Sequence, residues 1–265
     1  MGKTYVIEHM EPDEENPDQV VPEWVFLEYY HIVQSILNLK EVDPERSDRL
    51  QRGKDDDCSR VFFTNLSLKS SRTLIDQLNR RSSDSFDQAQ AAQGRSFLAT
   101  DSIPQVRGSE EPMVDRCSCV QLSILELIPR IQLSLPRVCL LDPKSEVLLE
   151  PKDSEEFDLF LFGGILGDDP PRDRTSQLRV MGFPTRNLGS VQMTTDTAVL
   201  VTKLVVERSI RFEDLRWLDR PELVFGKKES VEMPFRYLAD PLNQPVMPTG
   251  MRDLIRKDLD RSFEF

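Results

Sequence analysis

Residues 157–164 read Phe-Asp-Leu-Phe-Leu-Phe-Gly-Gly, an almost unbroken apolar run that stops at two glycines. Strands buried on both faces lack the alternation of polar and apolar residues that half-exposed strands show. Residues 138–142 form a second such run, which ends in an acid and is followed by proline. Residues 179–183 form a third. These runs predict a core of parallel strands with both faces covered.

The first third of the chain predicts a strand, a helix and a second strand. Residues 3–7 are rich in β-branched and aromatic side chains, and residues 60–64 repeat that composition. Between them, apolar residues recur at helical spacing from Trp24 to Leu37, and Pro22 lies where the start of a helix tolerates proline. This βαβ order predicts the α/β class with a mainly parallel central sheet.

The length of 265 residues suits one domain, which we expect to span residues 1–265. Residues 67–116 are rich in Ser, Gln, Asp and Arg and carry few apolar side chains. We therefore interpret them as a polar, mobile insertion, with room for a short helix around residues 73–80. Further on, residues 225–238 predict a hairpin, and a last helix is expected to begin near Thr249.

The charge balance of the chain is acidic, with 34 basic and 46 acidic side chains and a net charge of −12. A surface of this kind is not expected to bind a phosphate backbone directly, and it suits a basic partner. The sequence shows no apolar run of about 20 residues and no secretory signal at its start, so no membrane association is expected. We expect the cytoplasm as its location, with the nucleus as an alternative.

The four cysteines are too sparse for a disulfide scaffold, and reduced thiols are expected. Cys117 and Cys119 have no matching pair of Cys or His residues elsewhere, so no metal site is predicted.

Glycines follow the buried strand in the stretch FLFGGILGDDPPRDRT, residues 160–175. Such glycines let a ligand approach the backbone closely, but they also build tight turns. Their spacing matches neither a Walker A loop nor the GxGxxG dinucleotide pattern. The residues alone leave both interpretations open.

A second informative stretch, RNLGSVQMTTDTAVLVTKLV, covers residues 186–205. Apolar side chains at helical spacing predict a helix from Met193 to Val206, and hydroxyl and carboxylate side chains lie at its entrance. These side chains suit helix capping. Beside a glycine loop, the same entrance can also hold the ribose and adenine of a nucleoside cofactor.

Four phrases of the sequence together carry a family resemblance. They are Tyr5-Val-Ile-Glu-His-Met-Glu11, Val138-Cys-Leu-Leu-Asp-Pro143, Phe162-Gly-Gly-Ile-Leu-Gly-Asp168 with Pro170-Pro-Arg-Asp-Arg174, and Gln192-Met-Thr-Thr-Asp-Thr-Ala198. The chain resembles the eukaryotic SPOUT-class methyltransferases that methylate an arginine of a small-subunit ribosomal protein. The resemblance spans residues 4–64 and 137–260 and leaves the polar middle unmatched.

The resemblance implies an α/β fold with a C-terminal trefoil knot, an exception to the rule that protein chains do not knot. It also implies S-adenosylmethionine (SAM) as the cofactor, bound in the knot, and a monomeric enzyme. The cofactor-binding residues that it implies are Leu140, Asp142, Gly163, Gly164, Ile165, Gly167, Leu188, Gly189, Met193, Thr194 and Thr195. Where the family pattern has a His after the acid of the glycine loop, this sequence has Asp169.

Methyl transfer to a guanidinium requires a carboxylate near the methyl donor. Arginine is a poor nucleophile while it is protonated, and a carboxylate can orient it and accept the released proton. We predict Glu8, Glu11 and Asp168 as catalytic residues. Glu8 is favoured because it ends a strand, where ligands collect in parallel sheets. His9 is left open between a proton shuttle and a structural histidine.

The leading hypothesis is therefore a protein arginine N-methyltransferase that uses SAM and acts on a basic small-subunit ribosomal protein. The alternative is a SPOUT RNA methyltransferase acting on rRNA or tRNA, against which the acidic character of the predicted site argues. A cofactor-binding scaffold without catalysis is the third hypothesis, raised by Asp169.

Overall fold

The computed structural model describes residues 2–10, 13, 20–37, 59–84, 99–103, 116–164, 175–226 and 229–262. Its centre is a seven-stranded sheet in the order β3-β4-β2-β1-β6-β5-β7, and every neighbouring pair in it is parallel. The strands of this sheet are β1 (Thr4–His9), β2 (Arg60–Thr64), β3 (Ala99–Thr100), β4 (Cys117–Cys119), β5 (Val138–Leu141), β6 (Leu159–Gly164) and β7 (Thr185–Arg186). The predicted α/β class and mainly parallel sheet are confirmed.

Seven α-helices are assigned within the described residues. They are α1 (Glu23–Ile36), α2 (Leu68–Asp84), α3 (Ile124–Arg130), α4 (Asp153–Glu156), α5 (Ser176–Arg179), α6 (Thr195–Val206) and α7 (Met251–Ser262). A C-terminal ribbon adds β8 (Trp217–Asp219), β9 (Glu222–Gly226), β10 (Glu229–Glu232) and β11 (Arg236–Leu238). Strands β9 and β10 form an antiparallel hairpin over residues 222–232, which only overlaps the hairpin predicted at 225–238, because β11 pairs with β8 instead. Helix α7 corresponds to the predicted last helix. None of the helices within the described ranges has the length and apolar character that crossing a bilayer requires.

The central strands are buried because each carries apolar side chains on both faces. On one face, Tyr5 and Ile7 of β1 pack with the apolar sides of α1 and α6. On the other face, Val6 packs with Phe62 of β2 and with Ile124 of α3. The predicted βαβ unit is thus present, since β1 and β2 are parallel neighbours joined through α1.

After β6 the chain continues to β7, and β5 lies between these two strands in the sheet. There the main chain at Asn187 pairs with residues 147–149: Asn187 N donates to Val147 O at 2.7 Å, and Leu149 N donates to Asn187 O at 3.0 Å. This segment is therefore held between β5 and the loop that follows β5. Half of the path from β6 to β7, residues 165–174, lies outside the described residues, so the knot stays a prediction.

Two sequence predictions are wrong in detail. Residues 67–116 are not wholly an insertion, because α2 occupies 68–84 and both β3 and β4 join the sheet. The segment is polar on average, but one side of α2 is apolar, and Leu74 and Leu78 on that side are fully buried. Residues 179–183 end a short helix and form a turn, with Gly182 at a φ of +80°, and the strand begins only at Thr185.

Helices α1 and α6 run side by side in the same direction, as their contacts show. His31 of α1 meets Asp196 near the start of α6, and Lys203 near the end of α6 meets the end of α1. The ammonium group of Lys203 donates to the carbonyl oxygens of Ser35 at 3.0 Å and Ile36 at 2.7 Å. A buried lysine therefore satisfies carbonyl groups that the end of a helix leaves without partners.

Replacing Lys203 by Met tests this cap. The substitution keeps the length of the side chain but leaves buried carbonyl groups unsatisfied, so the free energy of unfolding should fall by about 2 kcal/mol. Urea denaturation followed by circular dichroism measures the change. Lys152→Met is the control, because Lys152 is exposed and forms a surface ion pair with Glu150. It should leave the urea midpoint of unfolding unchanged. Equal midpoints for both variants would contradict the role of Lys203.

Candidate functional site

A cavity of about 400 Å³ opens at the carboxyl ends of β5 and β6. Three parts of the chain build its wall: the residues that end these two strands, the segment before α6, and the first turn of α6. The lining residues are Leu141, Asp142, Pro143, Lys144, Phe162, Gly163, Thr175, Leu188, Gly189, Ser190, Val191, Gln192, Met193, Thr195 and Ala198. Parallel sheets bind their ligands at this edge, and the size and apolar lining suit a small organic cofactor.

The charged side chains among the described lining residues are Asp142 and Lys144. Asp142 is buried and forms a bidentate pair with Arg179, at 2.5 Å from Nε and 2.7 Å from Nη2. One of its oxygens also accepts the main-chain N–H of Lys144 at 3.0 Å. Asp142 therefore holds the loop after β5 in place while forming part of the wall.

Gly189 is a position where the cavity wall requires glycine. Its φ is +84°, a conformation that residues with side chains rarely adopt. A Cβ atom at this position would lie 2.9 Å from the ring of Phe212, which packs beside Trp217. The next residues are held by the C-terminal ribbon, since Arg236 N donates to Gln192 O at 2.8 Å. The ribbon thus supports the wall from outside.

The start of α6 has an unusual cap. Thr194 occupies the N-cap position, but its hydroxyl donates to Thr197 Oγ1 at 2.8 Å and makes no capping bond to the helix. The main-chain N–H groups of Thr195 and Asp196 donate instead to the carboxyl group of Glu28 on α1. Because Thr195 also lines the cavity, a side chain from another helix fixes part of the cavity wall.

Glu28 shares its buried surroundings with a second carboxyl group. The Asp196 carboxyl group shares a hydrogen bond of 2.6 Å with Nδ1 of His31. Burial, followed by the charge of Asp196, raises the pKa of Glu28 well above its ordinary value. Burial and these two acids likewise raise the pKa of Tyr237, which lies nearby on β11. Glu28 therefore keeps its proton to a higher pH than an exposed glutamate does.

Glu8 is not one of the lining residues, but it lies in register with Gly163 of β6, which is. Residues in register point to the same face of a sheet, so the missing side chain of Gly163 leaves the space next to the Glu8 carboxyl group open. Glu8 Oε2 accepts the hydroxyl of Thr64 at 2.5 Å and the main-chain N–H of Ile124 at 3.0 Å. Burial raises the pKa of Glu8, and these two hydrogen bonds oppose that shift.

His9 and Gly164 lie in register one residue further along. His9 Nδ1 shares a hydrogen bond of 2.8 Å with the hydroxyl of Tyr29, and burial lowers the pKa of His9 to about 4. The imidazole is therefore neutral at physiological pH. A Cβ atom on Gly164 would lie 2.8 Å from the carbonyl oxygen of Glu8 and 3.1 Å from the Tyr29 hydroxyl. Close packing of the strand against β1 thus accounts for this glycine without any ligand.

The structure brings most of the predicted cofactor residues to one place. Those that line the cavity are Asp142, Gly163, Leu188, Gly189, Met193 and Thr195. Leu140 points into the core on the opposite face, and the adjacent Leu141 forms the wall instead. Thr194 and Gly164 lie next to lining residues. Thr194 occupies the N-cap position of α6, and Gly164 allows β6 to pack closely against β1. Glu11, Ile165, Gly167, Asp168 and Asp169 lie outside the described residues.

Sequence analysis missed Glu28, although its charge in the middle of an apolar helix was a visible signal. It also missed Phe212, whose contact with Gly189 joins residues far apart in the chain and has no local pattern. Within the described residues, no group of three or more His, Cys, Asp or Glu side chains is placed to hold a metal ion.

Comparison with known proteins places this architecture in a family. The family described as "SFM1-like: Protein arginine N-methyltransferase SFM1-like" matches residues 4–262, almost the whole chain. The chain belongs to this SFM1-like family. The description of this family names the enzyme class that the sequence predicts, the protein arginine methyltransferases.

Individual relatives agree with this placement. Protein arginine N-methyltransferase SFM1 of Saccharomyces cerevisiae is 51% identical over 132 residues, which cover 48% of this chain and 62% of the relative. The aligned part thus spans somewhat less than two thirds of the length of that relative. The crystal structure of yeast SFM1 complexed with SAM superimposes with a TM-score of 0.67 at 33% identity, and covers 97% of this chain and 92% of its own. The complex of yeast SFM1 with SAH gives a TM-score of 0.64 at 31% identity, with 95% and 94% coverage.

The close approach at Gly164 can be tested by a single methyl group. Gly164→Ala should lower the free energy of unfolding by about 1–3 kcal/mol, because the added Cβ meets a main-chain oxygen that cannot move aside. Urea denaturation measures the loss. In Gly226→Ala, the nearest atom is the flexible end of the Glu229 side chain at 3.4 Å, so this control should stay close to the wild type. If Gly164→Ala were equally stable, packing against β1 would not explain the glycine.

Proposed function

We propose that this chain transfers a methyl group from SAM to an arginine side chain of a protein. The observation that carries the proposal is the position of Glu8: a buried carboxyl group, held by two hydrogen bonds, lies in register with Gly163, a residue of the cavity wall that has no side chain. Membership in the SFM1-like family supports the same activity.

The residues of the cavity fit the cofactor. Leu141, Phe162 and Met193 offer apolar surface for a flat aromatic base, and Gly189 lets the main chain come close to a ligand. Thr195 places its side chain and the first turn of α6 at the wall. SAM and its relative SAH are present in the complexes of yeast SFM1, which has the same fold. We therefore assign SAM to this cavity, where it supplies an electrophilic methyl group.

Glu8 is the residue that we place against the substrate. A carboxylate aligns a guanidinium through paired, charge-assisted hydrogen bonds and can accept the proton that the nitrogen loses. Thr64 and Ile124 both donate to Oε2 of Glu8, so neither of these hydrogen bonds occupies Oε1. Thr64 and Ile124 fix the orientation of the carboxyl group. Its raised pKa makes it a better proton acceptor than an exposed glutamate.

The nature of the substrate follows from charge. A chain with a net charge of −12 attracts basic proteins and repels a phosphate backbone. We propose a basic protein of the small ribosomal subunit as the substrate, encountered in the cytoplasm by a monomeric enzyme with a SPOUT-type trefoil knot. Glu11 and Asp168 are proposed to add negative charge near the same arginine.

The deciding experiment uses the full chain and methyl-labelled SAM. It is incubated separately with RNA-free small-subunit ribosomal proteins and with protein-free ribosomal RNA. Label in the protein fraction, recovered as methylarginine after hydrolysis, is the expected result. Label in RNA alone would favour the RNA methyltransferase, and label in neither fraction would overturn the proposal.

Ala198→Leu tests the cavity as the cofactor site. The larger side chain extends into the cavity from the first turn of α6, so SAM should bind at least roughly tenfold more weakly, equivalent to about 1.4 kcal/mol or more. Isothermal titration calorimetry measures the affinity. Ala198→Ser adds little volume and serves as the matched control, which should bind SAM like the wild type. Unchanged affinity in the leucine variant would place the cofactor elsewhere.

Glu8→Gln tests the role of the carboxyl group. The remaining side-chain oxygen can still accept from Thr64 and Ile124, so SAM affinity should be retained. The turnover number kcat should fall by roughly 10² to 10⁴, since the base is lost. In the wild type, kcat should drop as the pH falls through the raised pKa of Glu8, and the variant should lack this limb.

The control for Glu8→Gln is Glu126→Gln, at an exposed acid near the same helix start. This variant should keep the wild-type rate at neutral pH and the low-pH limb, with the limb moved slightly to lower pH because the charge of Glu126 contributes to the raised pKa of Glu8. Wild-type turnover in Glu8→Gln would exclude Glu8 from catalysis.

A further inference from the structure

We propose that Glu28 is a positioning residue for the cofactor: by capping α6 from the neighbouring helix, it holds the first turn of α6 in the arrangement that binds SAM. The inference rests on the proposed cofactor site, and it concerns a side chain that does not line the cavity itself.

The geometry that carries the proposal is a cap supplied by another helix. The first main-chain N–H groups of a helix have no partner within the helix, and the residue at the N-cap position usually satisfies them. Here Thr194 directs its hydroxyl to Thr197, and Glu28 accepts the N–H groups of Thr195 and Asp196. The orientation of this turn is therefore set by α1.

The same turn forms the cavity wall. Thr195 and Ala198 line the cavity, and Thr195 is the residue whose N–H group Glu28 holds. A shift of the main chain at Thr195 moves the wall directly, because no other residue lies between the capped N–H group and the lining side chain. Glu28 thus acts on the cavity through a single peptide unit.

Two buried oxygens at this cap have no partner within the described residues. They are Glu28 Oε2 and Asp196 Oδ1, when both groups are counted as acceptors. Burial and the charge of Asp196 raise the pKa of Glu28, and a carboxyl group that keeps its proton can also donate a hydrogen bond. The ionisable groups that face this pair are His31, Tyr29 and Tyr237.

The choice of substitution separates the roles of shape and reach. Glutamine keeps the length of the side chain, and its carbonyl oxygen can accept the two N–H groups. Aspartate keeps the carboxyl group but is one methylene shorter, so it withdraws from the N–H groups. Alanine removes the cap entirely.

The experiment measures SAM affinity by calorimetry and steady-state kinetics for Glu28→Ala, Glu28→Asp and Glu28→Gln in the full chain. We expect the Kd for SAM to rise at least roughly tenfold in the alanine and aspartate variants, while kcat at saturating SAM stays within about twofold. The glutamine variant should bind SAM within about threefold of the wild type. If the alanine variant does not fold, the contrast between aspartate and glutamine carries the test.

Lys203→Met is the matched control, because it removes a buried cap of the same helix pair at the end away from the cavity. It should lose stability and keep its SAM affinity, which separates positioning from a general loss of stability. Wild-type affinity in the aspartate and alanine variants, or equal loss in Lys203→Met, would overturn the inference. A wild-type chain that fails to bind SAM would instead overturn the proposed function.

Discussion

The parallel pairing of β1 with β6 is the constraint on which the site depends. It sets Glu8 beside Gly163 and His9 beside Gly164, and the second pair is close enough that a Cβ atom at Gly164 would lie 2.8 Å from a main-chain oxygen. Two strands that are far apart in the chain therefore end at one edge, where the last two residues of β6 have no side chains. The resulting gap separates a buried acid from a cavity, and this arrangement suits a reaction between a bound donor and a cationic side chain.

Buried polar side chains tie the elements around this edge together. Glu28 caps the beginning of α6 and Lys203 caps the end of α1, so each of the two parallel helices satisfies main-chain groups of the other. Asp142 and Arg179 similarly fasten the loop after β5. Each of these contacts gives a buried polar group a hydrogen-bond partner. Together the contacts fix the position of the cavity wall before any ligand binds.

The C-terminal ribbon and Phe212, which precedes it, support the cavity although they are distant from the cavity-lining strands in the sequence. Phe212 packs against Gly189, and Arg236 hydrogen-bonds to the main chain at Gln192. Both contacts support the wall of the cavity.

Much of the fold followed from local patterns. Continuous apolar runs at 138–142 and 157–162 indicated doubly buried parallel strands, and helical spacing located α1 and α6, because burial imposes these periodicities on each element separately. Phrases around Glu8, Gly163 and Met193 also indicated the family and six of the fifteen lining residues. The amphipathic helix α2 was underestimated, since an average over a polar segment hides two fully buried leucines.

The amino-acid sequence by itself determined the class of fold, the helices and strands of the core and the family. Tertiary structure alone decided that Glu28 caps α6, that Phe212 supports Gly189, and that Leu141 rather than Leu140 faces the cavity. The physical reason is that these contacts join residues separated by tens to more than 150 positions. No local periodicity encodes such contacts, because they form only when the sheet order and the direction of neighbouring helices bring the elements together.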